Sequence, residues 1–264
     1  MFSSSDRPGP PGPGASSETA RIRSVGKAVT SARARAAFLA YRAGAELARV
    51  VPPPIGEPTT RGLARGLLRA SSGRRRVVEA TLRRVTGGGL EGVALDRAVR
   101  TVFANYGRYW YELFRLPDLT ADEVRGRFRI EGFHHIEVAA AEGRGVILAL
   151  PHLGNYDWAG AWLALRGYPP VVVVEALEPP ELFEWFRSTR TRLGMDVVPL
   201  SPAAAAQVSR ALTAGRIVCL LADRDLSGTG VEVVFFGEPT TLPEGPALLA
   251  LRSEERRVGK ECRL

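Results

Sequence analysis

His152 stands just beyond an apolar run, Gly145 to Leu150, and Asp157 follows five positions later. The run reads as a buried strand, and the segment from Asp157 to Leu165 reads as the start of a helix. A strand-to-helix junction is where an α/β sheet presents its chemistry. One turn of backbone can fold Asp157 onto the imidazole. A carboxylate there would fix the ring tautomer and stabilise the imidazolium, leaving the second nitrogen free to act as a general base. No serine or cysteine stands at a nucleophile motif, so the attacking group is expected to be a hydroxyl of the substrate. Taken alone, the H-x4-D spacing also fits a capped helix start with a structural histidine.

Other residues fall at comparable places. Asp223 and Asp225, in Leu221-Ala-Asp-Arg-Asp-Leu226, follow a second apolar run, where a strand's carboxyl end would carry a site. The bland alternative is a turn and helix-cap pair. Glu175 terminates Val171-Val-Val-Val174, and a carboxylate ending an apolar run often faces a site. Gly237 and Gly245-Pro246 read as backbone devices. His134 and His135 have no further ligand nearby, so no metal site is expected. The two cysteines, Cys219 and Cys262, fit neither a metal site nor a disulfide framework. Cys219, inside an apolar run, reads as a small core residue, and a reducing compartment follows as the default.

The elements that must position these residues are legible in the hydrophobic pattern. From Phe128 onward, short strands are expected at 128–131, 145–150, 171–175, 196–199, 217–222 and 231–236. Helices alternate with them at 133–142, 156–166, 180–193, 203–214 and 244–251. The fold class is therefore α/β, a central mixed sheet flanked by helices. Ahead of it lies a basic helical region over 21–116, with helices expected at 24–50, 58–70, 73–85 and 94–116. The last of these carries Phe103, Tyr106, Tyr109, Trp110, Tyr111 and Phe114, a stripe that reads as core.

Composition bounds the partners. The chain carries a net charge of +8, and the excess is local: residues 1–100 hold 18 Lys/Arg against 7 Asp/Glu, the remainder 18 against 21. A basic N-terminal part on a near-neutral domain suits an anionic partner, either membrane lipid or nucleic acid. No nucleic-acid-binding motif spacing is present, which disfavours the second. No apolar run approaches the ~18 residues of a membrane span. Residues 1–20, rich in Ser, Pro and Gly, read as a disordered tail without a secretory signal.

Six blocks resemble a known family. They are Ile130-Glu-Gly132, the His152/Asp157 block, Glu175-Ala-Leu-Glu-Pro-Pro180, Phe186 to Gly194, Ala222-Asp-Arg-Asp225, and Gly230 to Pro246 with its Phe235-Phe-Gly237 centre. In this order they are similar to the lysophospholipid acyltransferase superfamily, in its branch of lipid A lauroyl/myristoyl acyltransferases, and most like the actinobacterial phosphatidylinositol mannoside acyltransferases. The resemblance implies a glycerol-3-phosphate acyltransferase-like fold. It implies direct transfer of a fatty acyl group from acyl-CoA, as co-substrate, to a sugar hydroxyl of a membrane glycolipid, with no cofactor and no metal. His152 would be the general base, Asp157 its orienting partner and Asp223 a third catalytic acid. Glu175, Arg190 and Asp225 would bind substrate, Arg190 as a planar donor to a phosphate or head group. A lipid A type or lysophospholipid acceptor is the alternative substrate. A peripheral place on the inner leaflet, at the cytoplasmic face of the plasma membrane, is expected. The resemblance stops at about Leu251, so residues 252–264 are expected to be a non-native tail, and the acyltransferase domain to span 21–251.

Overall fold

The computed structural model describes residues 34–226 and 228–252. The tail over 1–20, the first part of the helix expected over 24–50, and all but the first residue of the tail expected over 252–264 lie outside the described residues.

Ten helices and six strands are described. Helix α1 covers 34–50. It is followed by α2 (Pro53–Ala70), α3 (Ser72–Val85), α4 (Gly92–Arg115), a 3-10 turn (Leu116–Asp118), α5 (Ala121–Gly126) and α6 (His134–Ala141). Then come β1 (Val146–Leu150), α7 (Tyr156–Leu165), β2 (Val171–Val174), α8 (Pro180–Arg192), β3 (Asp196–Pro199) and α9 (Ala204–Thr213). The described chain closes with β4 (Ile217–Leu221), β5 (Val231–Phe235), β6 (Glu238–Leu242) and α10 (Gly245–Arg252).

Strands β1, β2 and β4 are continuous apolar runs, the signature of strands covered on both faces. They form a parallel four-stranded sheet in the order β1-β4-β2-β3. Alternation sends successive side chains to opposite faces. Val146, Leu148, Val172, Ile217 and Cys219 join one core with Trp158, Ala161 and Trp162 of α7, while Ile147, Val171, Val173, Val218 and Leu220 join the other with Ala204, Val208 and Leu212 of α9. Among the described residues the antiparallel pairing is that of the β5–β6 hairpin, a separate two-stranded sheet.

The N-terminal helices pack as a layer of their own. Ala64 and Leu68 of α2 meet Leu95, Val99 and Phe103 of α4 in a third core. Gly107 makes the α2–α4 approach possible: a Cβ at this position would come within 2.9 Å of the Thr60 carbonyl oxygen. A fourth core joins Phe38 and Tyr41 of α1 to Trp110 and Leu113 of α4 and to Leu182 and Phe186 of α8, so α4 bridges the helical layer and the α/β part.

Several local expectations are corrected. The stretch 128–131 is not a strand. Its apolar alternation is satisfied by packing, with Phe128 set 5.3 Å from Trp162, centroid to centroid. Helix α2 begins at Pro53 rather than 58, because a proline in the first helical turn loses no intrahelical hydrogen bond. Helix α5 was not anticipated, although Thr120 and Glu123 form a reciprocal capping box at its start. Strand β6, in a stretch with no element expected, pairs with β5 across a turn in which Phe236 and Gly237 both have positive φ.

Candidate functional site

The parallel sheet fixes where its carboxyl ends lie. β1 and β4 pair without offset, Leu150 opposite Leu221, and the Ala222 amide donates to the Leu150 carbonyl at 2.8 Å. His152 and Asp223 each stand two residues beyond that last pair, on adjacent strands. Glu175, one residue past β2, sits at the same edge of the sheet, exposed and with no hydrogen bond or ion pair among the described residues.

His152 and Asp223 are joined twice. The imidazole Nδ1 lies 2.6 Å from Asp223 Oδ1, and the His152 backbone amide donates to Oδ2 at 2.8 Å. A carboxylate can only accept here, so Nδ1 carries the hydrogen and Nε2 is left with its lone pair. Both side chains keep about a third of their surface, 35% and 36%, so the free nitrogen is reachable. Partial burial raises the Asp223 carboxyl, but the two hydrogen bonds from His152 outweigh it and hold the group below its ordinary value.

Asp157 does not meet His152. Asn155 caps α7, its side-chain oxygen accepting from the Trp158 amide at 3.0 Å, and the helix starts at Tyr156. Asp157 therefore falls in the first turn, on the face that meets α4 and α8. There it is buried, 1% exposed, and forked by Arg190 of α8: Nε to Oδ1 at 2.7 Å and Nη2 to Oδ2 at 3.3 Å. The Tyr109 hydroxyl donates to Oδ2 at 2.8 Å. The carboxylate on the histidine is thus the one 71 residues away, not the one five residues away. Burial pulls the Arg190 guanidinium down, but the charge and hydrogen bonds of Asp157 hold it above its ordinary value.

Two tyrosines that sequence reasoning missed complete this cluster. The Tyr109 and Tyr156 hydroxyls are 3.0 Å apart, and the Tyr156 ring lies edge-on to His152 at 5.9 Å and 87°. Tyr109 was legible only as part of an aromatic stripe. The signal that could have separated it is general: a buried tyrosine hydroxyl needs a partner. Burial first, and the neighbouring Asp157 charge second, push the Tyr109 phenol well above its ordinary value, so it remains a hydrogen-bond donor. One turn along α4, Glu112 accepts from Asn155 Nδ2 at 3.0 Å and from Arg108 Nε at 2.7 Å. Helix α4 thereby braces the cap of α7 as well as its first acidic residue.

Asp225 has a loop role. It accepts from the Gly228 and Gly230 amides at 3.0 and 2.9 Å and so closes the turn that follows β4. Cys219 packs in the core beneath α7, where burial pushes its thiol up to about 12, far from a thiolate at neutral pH.

The pair can do base chemistry. An oriented imidazole with a free Nε2 can take a proton from a hydroxyl, and the carboxylate behind it stabilises the resulting imidazolium. The buried Arg190–Asp157 pair beside it holds a guanidinium whose Nη1 has no partner among the described residues, a donor suited to an anionic group.

The sequence model of the bacterial lipid A biosynthesis acyltransferases matches residues 27–259. A phosphatidylinositol mannoside acyltransferase of Mycobacterium tuberculosis (strain ATCC 25618 / H37Rv) is 44% identical over 163 residues, 60% of this chain and 52% of that protein. The protein of that name from Mycolicibacterium smegmatis is 37% identical over 218 residues, 81% of this chain and 71% of that protein. The chain spans about half the length of the M. tuberculosis relatives it matches.

Proposed function

Since the chain belongs to the bacterial lipid A biosynthesis acyltransferase family, we propose that it transfers a fatty acyl group from acyl-CoA to a sugar hydroxyl of phosphatidylinositol mannoside. The observation that carries this reading is the His152–Asp223 pair, 2.6 Å apart at the carboxyl edge of the parallel sheet. The names of the relatives support the acceptor.

In this reading Nε2 of His152 takes the proton of the acceptor hydroxyl as its oxygen attacks the thioester carbonyl. The tetrahedral species collapses, the C–S bond breaks, and the departing CoA sulfur takes the proton back from His152. Asp223 holds the ring and stabilises the imidazolium between these two transfers. Asp157 acts one step removed, by holding Arg190, and the Arg190 Nη1 binds a phosphate of one substrate. Glu175, at the same sheet edge, contacts the acceptor sugar. No enzyme-bound acyl group is needed, and Cys219, packed against the core with its thiol raised by burial, is unsuited to carry one.

The protein works in this reading as a peripheral enzyme on an anionic leaflet, at the cytoplasmic face. No helix among the described residues is long and apolar enough to cross a membrane. Helix α3 has no buried residue and carries Arg74, Arg76 and Arg83 without ion-pair partners among the described residues. Each basic residue near such a surface contributes about 1 kcal/mol.

The test is acyl transfer followed by mass spectrometry. The protein is mixed with palmitoyl-CoA and, separately, phosphatidylinositol mannosides, lysophospholipids and lipid A precursors, with His152→Ala alongside. One acyl group gained by the mannoside alone, and absent with the variant, is the expected result. Gain on another acceptor would overturn the substrate. No product from folded protein would overturn the reaction.

A further inference from the structure

The Tyr109 hydroxyl sits at a junction that the base chemistry of His152 does not explain. It has one hydrogen, and Asp157 Oδ2, at 2.8 Å, can only accept it. The Tyr109–Tyr156 contact at 3.0 Å must then have Tyr156 donating and Tyr109 accepting. A directed chain results: the Tyr156 hydroxyl donates to Tyr109, Tyr109 donates to Asp157, and Asp157 is forked by Arg190. At one end the Tyr156 ring stands edge-on to His152. At the other, Arg190 holds an Nη1 without a partner among the described residues.

The geometry of the fork is uneven. Arg190 Nε meets Oδ1 at 2.7 Å, but Nη2 reaches Oδ2 only at 3.3 Å. The shorter contact to Oδ2 comes from Tyr109. Without Tyr109, Oδ2 would be held only by the longer Nη2 contact, and the carboxylate would be freer to rotate about its Cβ–Cγ bond and carry the guanidinium plane with it. The Tyr109 hydroxyl removes that freedom, and its own position is fixed by Trp110 and Tyr156, whose rings lie 5.3 and 5.6 Å away.

We propose that Tyr109 is a positioning residue: its hydroxyl fixes the Asp157 carboxylate, and through it the direction in which Arg190 presents Nη1 to an anionic group of the substrate. The role in turnover rests on the acyltransferase reading above, whereas the orientation of Arg190 does not. The residue belongs to the helical layer, so α4 contributes directly to a site otherwise built by the ends of the sheet strands and by α7 and α8.

The variant is Tyr109→Phe, which keeps the ring and removes the hydroxyl. Tyr111→Phe is the control, since it removes a hydroxyl from the same helix, one that donates to the Val51 carbonyl at 3.0 Å. Two readouts are taken on each. The first is steady-state transfer. Both substrates carry phosphate, so the KM of each is measured: Tyr109→Phe should raise one of the two on the order of tenfold with a much smaller change in kcat, the pattern of lost binding rather than lost base chemistry. The second is the Arg190 Nε–H signal in a 15N NMR spectrum, assigned with Arg190→Lys. It should be protected from exchange in the parent and in Tyr111→Phe, and lose that protection in Tyr109→Phe.

An unchanged Arg190 signal in Tyr109→Phe overturns the proposal whatever the kinetics show. A lost signal with unchanged KM overturns the substrate-directed part of it. If the parent transfers no acyl group to any acceptor, the acyltransferase reading fails, and the NMR comparison still decides whether Tyr109 orients Arg190.

Discussion

Nδ1 of His152 lies 2.6 Å from Oδ1 of Asp223, and the same carboxylate accepts the His152 backbone amide through its other oxygen. Ring and backbone are thus held by one group. The imidazole cannot turn over without breaking a contact, so Nε2 is presented in one tautomer and one direction.

Asp223→Asn should therefore cost much of the rate without unfolding the protein. An amide can offer Nδ1 a hydrogen as readily as accept one, and it cannot stabilise an imidazolium. We expect kcat to fall on the order of 10²–10⁴-fold, and His152→Ala to fall at least as far, with far-UV circular dichroism unchanged. An Asp223→Asn enzyme within about twofold of the parent would remove the carboxylate from the mechanism.

The same carboxyl is held below its ordinary value, which makes it a source of acid sensitivity. A group with a depressed folded-state pKa contributes stability that is present above its unfolded pKa, about 3.9 for Asp, and lost as pH falls through the folded value. Thermal midpoints measured from pH 6 to pH 2.5 should drop more steeply below about pH 4 for the parent than for Asp223→Asn. Parallel curves would show that the contacts to His152 do not persist in solution.

Asp157 is 1% exposed and its partner's side chain 12% exposed. Breaking one half of such a pair leaves a buried charge alone, at a cost of about 3–5 kcal/mol. Asp157→Ala should lower the urea midpoint accordingly. The double change Asp157→Leu with Arg190→Met should recover much of the stability and none of the activity. Equal stability of parent and Asp157→Ala would mean that the pair is solvated.

Gly145 enters β1 against the end of α9. An added Cβ would stand 2.4 Å from the Leu212 carbonyl oxygen and 2.8 Å from its Cα, both backbone atoms that cannot turn aside. Gly145→Ala should destabilise by about 1–3 kcal/mol, measured by chemical denaturation. A neutral result would mean that α9 can slide on the sheet.

Helix α3 offers a test of the surface reading. Reversing Arg74, Arg76 and Arg83 to Glu should abolish co-sedimentation with vesicles containing anionic lipid and leave the thermal midpoint within a few degrees, since none of the three is buried or ion-paired among the described residues. Binding that survives the triple change would move the contact elsewhere.

The sequence carried the α/β part because its strands are apolar runs of ordinary length and its carboxyl ends bear charged residues. His152, Asp223 and Glu175 stand out in the sequence for that reason, and the structure joins the first two. The partner of His152 was misread for a physical reason. Spacing reports which residues are near along the chain, whereas Asp157 is carried by the first turn of α7 onto a face chosen by α4 and α8. Nothing in the pattern around Asp157 announces Arg190, 33 residues on, or Tyr109, 48 residues before. The loop at 128–131 failed similarly: alternation of apolar residues describes a buried edge, and Trp162 satisfied it without a ladder. The capping box at Thr120 and Glu123 is legible as Thr-x-x-Glu ahead of a helix too short to show a period.

The pairing of β1 with β4 has a consequence for quality control. His152 and Asp223 meet because two strands 71 residues apart align without offset. A slip of one residue would carry the carboxylate about 3.3 Å along the strand and turn it to the opposite face. A mispaired chain could remain compact, keep its helices and pass a spectroscopic inspection, yet its histidine would have no counter-charge. Specific activity therefore audits the alignment of these two strands, and a preparation that is folded but silent should first be suspected of a shifted ladder.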